Sequence, residues 1–552
     1  MKLTDSFNLL ATAPDGIKRL RELILSLAVQ GKLVPQDLND EPASELLQKI
    51  RAEKDRLIAE GKIKKDKPLP AIGDDEKPFE LPEGWEWVRF GDAGINRDGE
   101  RIPVSSSERE QRAKIYDYYG ASGVIDKIDG YLFDKTLLLI GEDGANLINR
   151  STPIAFLAHG KYWVNNHAHV IDATHEGLLN YLALYINAIS LEPYVTGTAQ
   201  PKMNQAKMNS IVVMLPPLAE QSRIVAKVEE LMALCDALET SGQLEAEQHA
   251  RLTATLFDTL AASESAHQLQ ENWARLSSSF DLVLDRPEAV DALEQTLLQL
   301  AVRGLLVPQD PDDEPASELV QHIRAEKDRL IAEGKLKKDK PLPAIGDDEK
   351  PFELPQGWEW VVLETISSVG TGTTPSRDNS AYFSPPEISW VTSGETGQPF
   401  IEKTEQYVSA TALRETNLTV YPAGTLIVAM YGQGKTRGQI SELCISAATN
   451  QACAAIVLPI ADTCLRKYVK LYFEKIYDEI RLEAAGGAQP NLNVGKVKST
   501  LISLPPLAEQ SRIVARVEAL RVLCAQLRER LATSQKIQTH LAETLVESIA
   551  NG

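Results

Sequence analysis

Apolar residues at Ile17, Leu20, Ile24 and Leu27 recur at spacings of three and four and stop at Gly31, which predicts an amphipathic helix closed by a glycine. The pattern returns as Val290, Leu293, Leu297 and Leu300, stopping at Gly304. A second helix is predicted over PASELLQKIRAEKDRLIAEG, which opens on a proline and ends at Gly61, with a twin ending at Gly334. A longer pattern comes later. Ile224, Val228, Leu231, Cys235 and Leu238 alternate at four and three, and Ile513, Val517, Leu520, Cys524 and Leu527 repeat them, a heptad-type seam. Apolar positions resume at Leu252 and Leu256, and at Leu541 and Leu545, so each helix is expected to run for about 40 residues, or about 60 Å. Two like helices with matching seams in one chain are expected to pair with each other.

These helices belong to an extensive duplication. The chain from Ala28 to Val88 is nearly the same as that from Ala301 to Val361, and KPLPAIGDDEKPFELP is identical at 67–82 and 340–355. A second pair, LPPLAEQSRIVAKVE from Leu215 and LPPLAEQSRIVARVE from Leu504, follows blocks that do not match. The chain therefore divides into a constant helical region and linker (1–88), a variable domain (89–214), a central long helix (215–262), a second helical region and linker (263–361), a second variable domain (362–503) and a C-terminal long helix (504–552). The variable blocks read as mixed. LIGEDG and TLIVAMYGQG are predicted strands entering glycine turns, NLTVYPAGTLIV a hairpin, and LLNYLALYINAI and LRKYVKLYFEKIYDEI amphipathic helices. The expected fold class is α+β, with two globular domains separated by long antiparallel coiled-coil helices in a pseudo-twofold internal repeat.

The length of 552 residues, with 43% apolar and 25% charged residues, is that of a soluble protein of several domains. No apolar run approaches the roughly 20 residues that span a bilayer, and the start MKLTDSFNLLATAPDG lacks the pattern of a signal peptide. A cytoplasmic protein is expected. The five cysteines form no CxxC pair, against a disulfide framework or a zinc site, and Cys235 and Cys524 fall at apolar helix positions. The net charge of −20 argues against a phosphate-rich partner until it is divided. The variable blocks carry only −2 and −1, leaving −17 on the helical frame. A near-neutral domain binds a duplex when its basic residues share a face.

Catalytic motifs are not found. AMYGQGKTRG contains GKT, but the first glycine of a phosphate loop is replaced by Ala429. Glu60 to Lys62 and Glu333 to Lys335 match a nuclease ExK fragment, but both straddle the glycine that ends a charged helix. His167 and His169 in NNHAH, set against TNQAC, meet Gln451 and Cys453, so neutral hydrogen-bonding residues are expected rather than metal ligands. No methyltransferase tetrapeptide such as NPPY occurs. Glycine loops carrying Lys, Arg, Asn, Gln and Tyr remain, at 118–123, 141–150 and 431–438 and in the pair TAQPKMN and GAQPNLN. Each is a candidate for phosphate or base-edge contact, and equally a structural turn.

The duplicated constant regions, AQPKMN and AQPNLN running into LPPLAEQSRIV, GEDG with NNHAHV, and MYGQGKTRG with TNQA together resemble the specificity subunit of type I restriction-modification systems. The resemblance covers nearly the whole chain. It implies two target-recognition domains that read the halves of a bipartite double-stranded DNA sequence. It also implies two modification subunits, which bind S-adenosylmethionine, and restriction subunits, which use ATP and magnesium; none of that chemistry lies in this chain. The runner-up function is a protein-binding assembly or antirestriction factor.

The DNA contacts carried over by the resemblance are Tyr119, Ser122, Asn146, Asn166, His167, Lys202 and Asn204 in the first domain. In the second they are Tyr431, Gln433, Lys435, Thr436, Arg437, Asn450, Gln451, Asn491 and Asn493. Asn166 and His167 are aligned with Asn450 and Gln451, and Lys202 with Asn491; Gln433 suits an adenine edge, and Lys435 and Arg437 suit phosphate or guanine. The identical linker suggests a partner common to both copies. Phe79, Trp85, Phe352 and Trp358 are expected either to anchor a modification subunit or to pack the base of each variable domain.

Overall fold

A glycine is required where the first repeated helix ends. In the computed structural model, which describes residues 9–65, 67–77, 79–197, 200–336, 344–432, 435–480 and 492–551, α1 (Gly16–Val29) buries Leu20, Leu23, Ile24 and Ala28 along one stripe. Gly31 follows with φ +70°, and a Cβ there would lie 2.7 Å from Pro82 and 3.0 Å from Trp85. Only glycine meets both demands. The helix end is thereby seated on the segment that leads into the first variable domain. Next, α2 (Ala43–Ala59) starts behind Pro42 and buries Leu46, Leu47 and Ile50.

Two compact units make up the chain, residues 1–245 with 534–552, and residues 246–533. In the first, strands Glu86–Arg89 and Val212–Leu215 pair antiparallel and bracket the variable block. Inside it, one four-stranded sheet runs Ile95–Asn96, Ala168–Asp172, Leu137–Gly141, Ala155–Ala158, and another Gly123–Ile128, Tyr116–Gly120, Lys161–Val164, Phe133–Asp134. The apolar run LLLIG is explained by burial on both faces. Leu137 and Leu139 join Phe133, Tyr162 and Val170 in one cluster, while Leu138 and Ile140 share a second with Tyr181 and Leu182 of α3 (Glu176–Ala188). The first long helix, α4 (Leu218–Ala261), then begins.

The second unit repeats this plan from α5 (Pro287–Val302) and α6 (Ala316–Ala332), with Gly304 at φ +72° against Pro355 and Trp358. Glu359–Val362 pairs with Leu501–Leu504. The enclosed block holds a five-stranded sheet, Ser368–Thr371, Cys453–Val457, Leu426–Ala429, Ile440–Leu443, Phe400–Ile401, and a four-stranded one, Gln406–Val408, Ile388–Val391, Ala447–Thr449, Val420–Tyr421. Leu426 and Val428 again face one cluster and Ile427 the other. Then come α7 (Thr463–Lys475) and the second long helix, α8 (Leu507–Asn551).

The long helices are 44 and 45 residues, and they pack together. In the first unit Val228 and Cys235 of α4 share a core with Ala542 and Leu545 of α8; in the second, Cys524 of α8 shares one with Phe257 and Leu260 of α4. The heptad seam has a further occupant. Leu231, Cys235 and Leu238 face Leu20, Ile24 and Leu27 of α1, and Leu520, Cys524 and Leu527 join Val290, Leu293 and Leu297 of α5. The amphipathic helix of each repeat covers much of the stripe that the sequence assigns to the long-helix partner.

A buried carboxyl ties each long helix to its own repeat. The indole Nε1–H of Trp85 donates to Glu220 at 3.0 Å, and that of Trp358 to Glu509 at 2.9 Å. Burial pushes both carboxyls up, against the pull of the indole donors. A raised folded value means that the native state holds the proton longer than the unfolded chain, so this contribution falls as pH rises from about 4.5 through the folded value. Glu220→Gln is therefore expected to gain on the parent chain as pH is raised from 4.5 to 8 in thermal melts. A pH-independent difference would contradict the assignment.

Candidate nucleic-acid interface

In the first variable domain the loops named from the sequence converge at one end of the two sheets. Strand Leu137–Gly141 pairs antiparallel with Ala168–Asp172, so the turn leaving one adjoins the turn entering the other. A Cβ on Gly141 would lie 2.6 Å from the carbonyl oxygen of Ala121, which brings residues 121–122 alongside. The backbone then laces three segments together: Glu142 N–H donates to His167, Met203 N–H to Glu142, and Gly144 N–H to Pro201. Asn165 N–H donates to Tyr119 and adds the end of a fourth.

The outer side chains of this cluster are Ser122, Asn166, His167 and Lys202, all exposed. His167 Nδ1 lies 2.7 Å from Asp143, and Lys202 Nζ 3.2 Å from Glu142. Each of these side chains already has a carboxylate partner, so a duplex would compete with that carboxylate for it. The other three predicted residues are occupied locally. Asn146 accepts from Ser151 and Thr152 in its own turn, Asn204 caps the helix Gln205–Asn209, and the half-buried ring of Tyr119 stacks on Phe156 and meets Tyr162 edge-on.

Beneath the loops lies a buried ionic core that the sequence did not reveal. Asp98 accepts from His169 at 2.6 Å and from Val170 N–H at 2.8 Å, and Arg101 lies 3.0 Å from Glu142 and 3.4 Å from Asp98. Burial pushes the Asp98 carboxyl up, but the His169 bond and the Arg101 charge more than offset it, holding it below the usual range. His169 Nε2 faces the Met203 carbonyl at 2.9 Å. Both ring nitrogens are thus engaged by protein oxygens, one carboxylate and one backbone carbonyl, which fits the hydrogen-bonding role expected from sequence. Among the described residues no group of His, Cys, Asp and Glu forms a metal site.

In the second domain the loop after Leu426–Ala429 is held by Gly438 N–H donating to Ala429, and by the Tyr477 hydroxyl donating to the Lys435 carbonyl at 2.5 Å. Tyr431 and Lys435 are exposed there, and Thr436 and Arg437 half-buried. Gln433 and Asn491 lie outside the described residues. Asn493 caps the helix Val494–Lys498 just as Asn204 caps its own. Gln451 is exposed and accepts from Thr374. Tyr477 and Thr374 support the candidates but stood in no motif.

The structure corrects one alignment. Asn450 accepts from the N–H two residues on, Ala452, as Asn165 does from His167, and the strands that follow begin at Cys453 and Ala168. Asn165 therefore matches Asn450, and Asn166 matches Gln451. His167 has Ala452 opposite it, one residue from the sequence pairing, because the turn-forming asparagine sets the register.

At the linkers, Trp85 and Trp358 are each 6% exposed and held by buried glutamates, so of the two sequence readings these indoles fit packing at the base of each domain. Phe79 and Phe352 are half-buried, with ring centroids 5.9 Å from Trp87 and 4.9 Å from Trp360. A groove beside the first pair is lined by Ile72, Lys77, Leu81 and Glu86.

Residues 82–248 and 355–534 match the model of the type I restriction modification DNA specificity domain. The chain is similar to the type I restriction enzyme EcoEI specificity subunit of Escherichia coli, 38% identical over 97% of this chain and 94% of that one. It is also similar to the EcoAI specificity subunit of the same organism, 35% identical over the same shares. Among solved structures, the HsdS subunit from Thermoanaerobacter tengcongensis is 16% identical, with TM-score 0.41, covering 86% of this chain and 98% of that one. No described helix is long and apolar enough to cross a membrane. The chain belongs to the specificity subunits of type I restriction-modification systems, the non-catalytic, cofactor-free components that recognise the DNA target and direct the modification and restriction subunits.

Proposed function

We propose that the variable domains, 89–214 and 362–503, are two readers that each recognise one half of a bipartite double-stranded DNA sequence. The observation that carries this reading is the pairing of near-identical helical frames with loop clusters that differ in every outer side chain: Ser122, Asn166, His167 and Lys202 in one, Tyr431, Lys435 and Gln451 in the other. Like frames carrying unlike loops suit two half-sites of different sequence. The partners are two modification subunits, which carry S-adenosylmethionine, and restriction subunits, which carry ATP and magnesium, all in the cytoplasm with the DNA. Each modification subunit docks beside one copy of the linker, where Phe79 and Phe352 flank the Trp87 and Trp360 rings.

Mapping of methylated adenines in cells that express the assembled system should return one motif of two short blocks with a fixed unread spacer. Replacing residues 89–214 by another reader should change one block only. A continuous motif, or a change in both blocks, is incompatible with the proposal. For the linker, Phe79→Ser with Lys77→Glu should lower the modification subunits per chain from two to one in native mass spectrometry; an unchanged ratio removes the linker from the docking surface.

A further inference from the structure

Two nearly identical frames in one chain create an assembly ambiguity. The apolar stripe of α1, Leu20, Ile24 and Leu27, is matched in α5 by Leu293, Leu297 and Leu300. On the long helices the facing residues Leu231, Cys235 and Leu238 are matched by the same types at Leu520, Cys524 and Leu527. Hydrophobic complementarity cannot tell one long helix from the other.

The charges can. In the first unit Arg21 of α1 lies 2.5 Å from Asp236 and 2.8 Å from Glu239 of α4. In the second the polarity is inverted: Asp291 and Glu294 of α5 lie 2.6 and 2.5 Å from Arg528 of α8. Arg21 is the repeat equivalent of Glu294, and Glu239 that of Arg528, so both members of one ion pair have changed sign together. Met232 has become Arg521, which lies 3.0 Å from Glu294 and 2.6 Å from Glu474 of α7. The inversion is confined to this contact. Arg223–Asp40 and Arg512–Asp313, near the start of each long helix, keep the same polarity at 2.6 and 2.5 Å, and the long helices are identical from Leu218 to Ala226 and from Leu507 to Ala515.

We propose that this inverted ion pair makes each amphipathic helix selective for the long helix of its own repeat and rejects the other repeat of a second copy of the chain. On the second long helix Arg21 would meet Arg528; on the first, Asp291 and Glu294 would both meet Glu239. Like charges placed at an otherwise equivalent apolar seam act as a repulsive specificity element, as at the flanks of coiled coils. An exchange between unlike repeats of two copies is head-to-tail and open-ended, so the device guards against chains of molecules. Exposed pairs each contribute little, and over the set the preference is about tenfold.

The test uses the full chain in two forms. One gives the second unit the polarity of the first, with Asp291→Lys, Glu294→Arg, Arg521→Met and Arg528→Glu. It keeps oppositely charged partners in both units but no longer distinguishes them. The other adds Lys18→Asp, Arg21→Glu, Asp236→Ala and Glu239→Arg, which restores opposite polarities with the repeats exchanged. After refolding from urea at micromolar concentration, light scattering coupled to size exclusion should show about tenfold more oligomer for the first form than for the parent, and parent-like behaviour for the second. A first form as uniform as the parent, or a second form no better than the first, including failure of both to refold, overturns the proposal.

Discussion

Asp98→Ala is expected to unfold the first reader selectively, at a cost of about 3–5 kcal/mol, because it leaves His169 and Arg101 buried without their shared carboxylate. The side chain ties its own turn to strand Ala168–Asp172 and, through Arg101, to the loop at Glu142. It accepts from the His169 ring, from the Val170 backbone in strand Ala168–Asp172, and lies against Arg101, which in turn reaches Glu142 at the root of the GEDG loop. Losing it therefore removes both stability and the platform of the loop cluster. Hydrogen exchange should report early opening of 137–172, with 426–457 protected as in the parent chain. The folded carboxyl is held below its usual value, so its contribution is present above pH 3.8 and is lost as pH falls further. The deficit of the variant should accordingly narrow in acid. A uniform loss across both readers would show that Asp98 acts through the global fold instead.

The sequence carried what depends on short-range period. The stripes of α1 and α5, the glycine stops at Gly31 and Gly304 and the extent of the long helices follow from spacing alone, because helix pitch and backbone chirality act locally. What pairs across distance did not show. The donor from Trp85 to Glu220 spans 135 residues, and nothing near either residue announces it. The sharing of the heptad seam with α1 was hidden for a related reason: two amphipathic helices compete for the same stripe, and period cannot say which is seated. At the candidate interface the sequence named the convergent segments, but not which of their side chains were already engaged. Asn146, Asn204 and Asn493 look like base readers by type and act as turn and cap residues by position. The polarity inversion at Arg21 and Glu294 was written in the sequence throughout, yet it became meaningful only once Glu239 and Arg528 were known to face them.

Trp358→Ala should destabilise the second unit by about 3–5 kcal/mol, the range for deleting a large buried aromatic side chain. The indole fills the space that Gly304 leaves open, lies edge-on to Tyr468 at a centroid distance of 6.5 Å and donates to Glu509. It thus joins the end of α5, the helix α7 of the reader and the first turn of α8. Trp358→Phe separates the packing from the hydrogen bond. It retains most of the apolar contact but leaves Glu509, already pushed up by burial, with only the weaker Gln309 donor at 3.4 Å. Removing a donor that favours the ionised form raises the carboxyl further, so the deficit of the phenylalanine variant should be small at pH 4.5 and larger at pH 8. Combining it with Glu509→Gln should abolish that slope, since the carboxyl whose ionisation the indole favours is then gone. Denaturant titrations of the three variants, followed by the fluorescence of the remaining tryptophans, distinguish the cases. If Trp358→Phe were equally stable at both pH values relative to the parent, the joint would be held by packing alone, and the charge on Glu509 would have no part in anchoring α8 to its reader.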